Sequence, residues 1–431
     1  MAINAPNNSN NSNNGIGNQA SNWLYPFILV TSLFFFWGFV HNLDPILIPH
    51  LRKSFRLNDL QSSLIDSSVF IAYFAMALPA GYVMRKYGYK SGIVGGLLLF
   101  ALGCFLFLPA ADTHQYIYFL GALFIIASGL TFLETAANPY ATIIGPPETA
   151  TRRLNFAQSF NGLAAMVAPI IGGQFILSGT EMSDEAYAQL SPEALNNYLT
   201  TEAQSVKMPY LVLGILVLLV AVLFMVSKLP DVKEGDDNTA GNNPLKAFRH
   251  RHLTWAVVAQ FFYVGAQVCV GSFFIKMART GAGMDEKTAA QYLGWGYGAA
   301  FMLGRFVGTF LMGKFASEKL LSTYALINIV LSAVAIFGSG IVVVYALIAI
   351  AFFMSIMFPT IFSLGIKEVG ADTKMASSLI VMSIVGGALL PPVLGVISDA
   401  TGSIQNGYIV PLLCFVVVFL FATKGYKVKS V

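Results

Sequence analysis

The chain has 431 residues, of which 56% are hydrophobic and 11% charged, and its mean hydropathy is +0.68. That composition excludes a soluble globular protein and points to a polytopic membrane protein. The net charge of +4 is small, and the cations are dispersed between apolar segments, so no nucleic-acid partner is expected.

Residues 1–22 form an Asn-rich tract without Lys or Arg; lacking the basic start of a signal peptide, they read as a disordered cytoplasmic tail. The N-x-S sequons at Asn7 and Asn10 would matter only outside the cell. Apolar stretches of spanning length then begin near Leu24, Leu64, Ile93, Tyr116, Phe156, Pro209, Leu253, Ala289, Tyr324, Ile341, Met375 and Tyr408, which predicts an all-α membrane protein with twelve transmembrane helices. With the N-terminus inside, seventeen Lys and Arg fall in cytoplasmic loops and the C-terminal tail, and seven fall in outer loops. This asymmetry satisfies the positive-inside rule and puts both termini in the cytoplasm.

The connection from Ser227 to Arg251 contains GDDNTAGNNP and divides the spans six and six. The expected organisation is an N-terminal six-helix half over 23–227, a cytoplasmic linker over 228–251 and a C-terminal half over 252–431. Pro139 and Gly145 of the fourth span recur as Pro359 and Gly365 of the tenth, and Pro169 and Gly173 of the fifth as Pro391 and Gly395 of the eleventh. Paired prolines in two halves mark a transporter built from repeats, with its substrate site between them near the midplane.

Strong polar groups within the spans concentrate in the first half. Glu134 lies in an apolar run from Phe119 to Ile144 that contains no Lys or Arg. A charge there costs about 2.5–3.5 kcal/mol on insertion scales, so it is expected to serve an ion, a proton or a substrate; helix-to-helix glue is the alternative. Asn138, four residues on, shares its face. Asn42 and Asp44 stand in span one, and Asn155, Gln158 and Asn161 recur at every third residue of span five. The second half carries Gln260, Gln267 and Arg305.

Carboxylates and carboxamides offer donors and acceptors suited to a neutral polyhydroxylated ligand, and Trp37, Trp295, Tyr297 and Phe358 offer flat apolar faces. The predicted substrate-binding set is Trp37, Asn42, Glu134, Asn138, Gln158, Asn161, Gln260, Gln267 and Phe358. A carboxyl group deprived of water favours its neutral form, so Glu134 and Asp44 are the predicted proton-coupling acids. Asp66 reads as a cap or interface residue near the outer surface. Arg305 is the one intramembrane cation away from a helix end and needs a partner or a cavity. A substrate role stays open for it beside the structural or gating role that it is assigned with Arg85 and Lys86 of the inner turn after span two.

Several stretches, FFFWGFVHNLDPILIPHLRKSF, ALPAGYVMRKYGYKSGI, LETAANPYATIIGP, RLNFAQSFNGLAA, QFFYVGAQ, GRFVGTFLMGKF and FPTIFSLGIKEVG with TKMASSLIVMSIVGGA, resemble the fucose:proton symporter family of the major facilitator superfamily. The similarity runs from Leu33 to Asp399. It implies the major facilitator fold and a multi-pass carrier of the cell inner membrane that imports a monosaccharide with protons by alternating access. In that family a fourth-span Glu and a first-span Asp are the coupling and sugar-binding acids, and Glu134 matches the former. Asp44 departs from the pattern. Fucose permeases often read N-L-N-D where this chain reads Asn42-Leu43-Asp44-Pro45, and one residue turns a helical side chain by roughly 100°. Gly271 stands where a Trp tends to follow the GAQ motif, and Phe358 replaces the family's Tyr before Pro359. L-fucose, galactose, glucose and amino sugars all remain open as substrates.

Sodium coupling and a non-transporting sugar sensor are the alternatives. An enzyme is not expected, because no HExxH or GxSxG motif occurs. No cofactor or metal is expected either. Cys104, Cys269 and Cys414 lie far apart in apolar stretches and read as small packing residues.

Overall fold

The computed structural model describes residues 23–43, 47, 51, 54–56, 59–113, 115–175, 190–230 and 244–428. Asp44, one of the two predicted proton-coupling acids, lies outside them, as do the N-terminal tail and most of the linker.

Span one is Leu24–His41. Spans two and three run through Asp59–Thr113, where Gly88, at φ 85° and ψ 170°, breaks the helix between them. That backbone conformation suits a residue without Cβ. Spans four, five, six and seven are Tyr116–Ile143, Ala150–Phe175, Lys207–Val226 and Arg251–Ser272. Span eight joins Glu286–Gln291 to Ala299–Leu311 through a π-helical turn over Tyr292–Gly298. Span nine is Ser317–Phe337. Span ten is split into Ile341–Met354 and Met357–Gly365, span eleven runs from Thr373 through a 3-10 turn at Ser383–Val385 to Thr401, and span twelve occupies Ile404–Gly425.

The described residues hold nine helices long and apolar enough to cross a bilayer, one of which, Ser67–Thr113, contains two spans. Spans five and eight are the two not among these nine, span five with part of its far end outside the residues searched. Span five carries Arg152, Arg153, Asn155, Gln158 and Asn161 along one helix, and span eight carries Arg305 and the π turn. These are the two most polar crossings, and they pack against each other across the halves. Spans five and nine also begin several residues before their predicted apolar starts, at Ala150 and Ser317, because their first turns are polar and hydropathy reports only the lipid-facing length.

In spans four and ten 61% of the apolar window is buried within the protein, against 33% in span six and 39% in span nine. Four and ten are therefore the most enclosed of these helices and six the least. The halves meet where span five packs on spans eight and ten, and where span two packs on span eleven. The approach is close: a Cβ added to Gly81 of span two would stand 2.0 Å from Ser378 Oγ of span eleven.

Candidate functional site

Glu134 is 4% exposed, in a span-four helix whose Thr131 and Thr135 hydroxyls bond back to their own helix. Those hydroxyls are thereby spent on the backbone, leaving the carboxylate and Asn138 as the polar groups of that stretch free to look outward. Tyr73 of span two hydrogen-bonds the carboxylate, and Arg305 attracts it electrostatically from the other half. Among the described ion pairs the two charges do not touch.

The three amides of span five have separate tasks. Gln158 Nε2 donates to Asn138 Oδ1 at 3.1 Å, which joins spans five and four. Asn155 Nδ2 donates to the Thr151 carbonyl at 2.9 Å and across the halves to Thr360 Oγ1 at 3.2 Å. One turn earlier, Thr151 Oγ1 and Ser363 Oγ make a second inter-half contact at 2.8 Å. Asn161 Oδ1 accepts from Arg305 Nη1 at 3.4 Å.

Arg305 is the centre of this network. Its Nη1 donates to the Gln158 carbonyl and, at 3.2 Å, to Gln158 Oε1, while its Nε donates to the Ser355 carbonyl at 3.2 Å. Its guanidinium lies 4.7 Å from the Phe301 ring centroid. The Ser355 carbonyl is available for a sequence reason: its helical partner would be the N–H of residue 359, which is proline. Room for the side chain comes from glycines. A Cβ on Gly162 would stand 3.2 Å from Arg305 Cδ, and one on Gly304 would stand 2.2 Å from the Phe352 carbonyl oxygen. Small residues thus draw span eight onto spans five and ten, and Arg305 Nη2 keeps no protein partner among the described residues.

Gln260 and Tyr263 are fully buried on span seven. Among the described residues both polar atoms of the Gln260 amide lack a hydrogen-bond partner, as do Asn138 Nδ2 and Asn155 Oδ1, and the Tyr263 hydroxyl meets only the Phe358 backbone, outside good geometry. Phe358 is buried and meets the Tyr263 ring edge-on, with centroids 6.4 Å apart. Trp37 is buried against Phe34, and next to it Gly38 admits Asn161 so closely that a Cβ would stand 2.8 Å from the Asn161 Cα. Gln267 is half-buried.

Other predicted residues stand apart from this cluster. Asn42 Nδ2 donates to the Gly38 carbonyl at 2.6 Å, so its amide closes the end of its own helix. Trp295 is 70% exposed, because the π turn rotates it outward from the helix that carries Arg305. Tyr297, by contrast, is tied to the cluster: it packs edge-on to Phe274 at 5.8 Å and is electrostatically coupled to Tyr263. Arg85 is half-buried, and exposed Lys86 lies over its neighbour Tyr87 at 5.1 Å. The cation that bridges the halves at this end is Lys374, buried at the start of span eleven with its Nζ 5.5 Å from the Tyr89 ring centroid.

Sequence reasoning missed Tyr73, Tyr263, Ser355, Thr360 and Lys374. Pro359 was the signal for Ser355, since a proline frees the carbonyl four residues earlier. Arg153, counted only as an inner-loop charge, caps span four by donating to the Ala141 carbonyl at 3.2 Å and the Thr142 carbonyl at 2.6 Å. These carbonyls belong to the last turn, which has no helical donors left.

A family profile described as the Major Facilitator Superfamily matches residues 27–374. The chain is 44% identical to the L-fucose-proton symporter of Escherichia coli (strain K12), with 94% of each chain covered. It is 40% identical to a glucose/galactose transporter of Brucella abortus biovar 1 (strain 9-941), over 94% of this chain and 95% of the other. It also superimposes on a crystal structure of FucP, a major facilitator superfamily transporter in the outward conformation, with a TM-score of 0.87, 44% identity, and coverage of 93% of this chain and 98% of that one. The polar core between two six-helix halves, the family match and these relatives give one answer: the chain belongs to the major facilitator superfamily and, within it, to the fucose:proton symporter family.

Proposed function

We propose that the chain is a proton-coupled symporter that imports a monosaccharide, L-fucose or a related hexose, across the inner membrane by alternating access, with both termini in the cytoplasm. The observation that carries the reading is Glu134, a nearly sealed carboxylate that touches Tyr73 and faces Arg305 across the two halves. A buried carboxylate without an ion-pair contact is costly as an anion and accepts a proton readily. Its negative charge attracts Arg305, and Arg305 holds Gln158 and Asn161 to span eight. Protonation removes the negative end of that attraction, so the charge of Glu134 is linked to the closure of the halves. Asn138 and Gln158, bonded to each other beside it, put donors and acceptors for sugar hydroxyls on the same surface.

The bridges Thr151–Ser363, Asn155–Thr360 and Lys374–Tyr89 lie at the helix ends that the charge asymmetry assigns to the cytoplasm. They support an outward-facing arrangement closed below the site. The test is uptake of labelled L-fucose, D-galactose and D-glucose into proteoliposomes under an imposed pH gradient or an imposed sodium gradient. Accumulation driven by the pH gradient is the expected result. Accumulation driven by sodium alone would replace the proton, and no accumulation under either gradient would defeat the symporter reading.

A further inference from the structure

Most polar atoms of the central network are paired, and the exceptions cluster. On span seven, Gln260 and Tyr263 are three residues apart and therefore share a helix face. Both side chains are fully buried; among the described residues the amide nitrogen and oxygen have no hydrogen-bond partner, and the phenolic oxygen meets only the Phe358 backbone, outside good hydrogen-bond geometry. Leaving such a group unpaired costs roughly 1–3 kcal/mol. Two on one side chain is a large penalty for a helix whose neighbours are otherwise apolar.

Their surroundings are those of the site. The Tyr263 ring meets Phe358 edge-on, and its hydroxyl is electrostatically coupled to Arg305. Arg305 has Nη2 unspent on the same side, and on the opposing half Asn138 Nδ2 and Asn155 Oδ1 are likewise without partners. The unpaired donors and acceptors thus belong to both halves, and Arg305, Phe358 and Thr360 tie Tyr263, Asn138 and Asn155 into one network of contacts. Each sugar hydroxyl donates once and accepts twice, so a pyranose presents the complement of this set, and the Phe358 ring offers a flat apolar wall to its CH face.

Resting on the reading of the chain as a sugar carrier, we infer that Gln260 and Tyr263 form a hydroxyl-recognition subsite of the C-terminal half, in which the Tyr263 hydroxyl reads one ring hydroxyl of the sugar and so sets which hexose is accepted. A subsite built to bond a hydroxyl discriminates against the analogue that lacks it, because the protein groups then stay buried and unpaired.

The test uses the purified full-length protein, with calorimetric binding of L-fucose, D-galactose and D-glucose, and then of the monodeoxy analogues of whichever binds best. Tyr263→Phe keeps the ring against Phe358 and removes a hydroxyl whose one protein contact, to the Phe358 backbone, is weak, so its melting temperature should stay close to that of the parent chain. Gln260→Met provides a second variant of similar volume. The expected result is a roughly threefold to tenfold loss of affinity for the parent sugar in Tyr263→Phe, with one deoxy analogue bound equally by variant and parent protein. Equal affinity for every sugar in both variants, or a uniform loss across all analogues, would overturn the subsite. In that case uptake under a pH gradient would still stand for the carrier itself. If no sugar binds the parent protein, both readings fall together.

Discussion

The two halves deploy their buried polar groups in opposite ways. In the first half, Glu134 is bonded to Tyr73 and Asn138 to Gln158, with one amide atom each of Asn138 and Asn155 left over. The second half sends one cation, Arg305, onto Gln158 and Asn161 and keeps the Gln260 amide and the Tyr263 hydroxyl without good partners on span seven. One half therefore holds the negative charge and its support, and the other holds the counter-charge and an amide with both polar atoms unpaired. A carrier that must join and release its halves needs such an arrangement, since a fully paired interface would be hard to reopen.

The sharpest way to break this comparison is to remove the counter-charge. Arg305→Met deletes charge-assisted bonds worth roughly 1.5–3 kcal/mol each, and initial sugar uptake into proteoliposomes should fall about 100-fold. Arg305→Lys should recover only part of it, because an ammonium lacks the planar fork that serves Gln158 and Ser355 together. Full recovery would mean that charge alone matters.

A smaller effect is expected at the inter-half contact of Asn155 with Thr360. Asn155→Ala and Thr360→Val should each slow uptake about threefold, and the double variant should cost no more than either, with a coupling of about 0.5–1.5 kcal/mol. Strictly additive losses would mean that this contact contributes nothing to the cycle.

The smallest effect concerns Pro359. Pro359→Ala restores an N–H that competes with Arg305 Nε for the Ser355 carbonyl. Uptake should fall about twofold while the melting temperature rises, because a helical hydrogen bond is regained. A lower melting temperature would show instead that the break in span ten is itself required.

Much of this arrangement was legible in the sequence. Glu134 was conspicuous because nothing in its apolar run neutralises it, and Asn138 and Gln158 followed from helical spacing. The partner of Arg305 was only half legible, since two of its four described acceptors are the backbone carbonyls of Gln158 and Ser355, and carbonyls carry no residue-specific signal. Tyr263 was hidden among many aromatics that pack or face lipid. Trp295 lies 70% exposed within a π turn, where regular helical spacing does not give a side chain's direction. Spans five and eight have the weakest apolar signatures for the same reason that they matter: their polar faces point at each other.

Glu134→Gln tests the central claim most directly. The amide keeps the shape and the contact with Tyr73 but cannot carry a removable proton or a negative charge toward Arg305. In proteoliposomes the variant should retain sugar exchange between equal pools, at a rate within severalfold of the parent, while accumulation driven by a pH gradient disappears. Accumulation at the parent level would contradict the account, because the proton would then travel by a route that does not include this carboxylate.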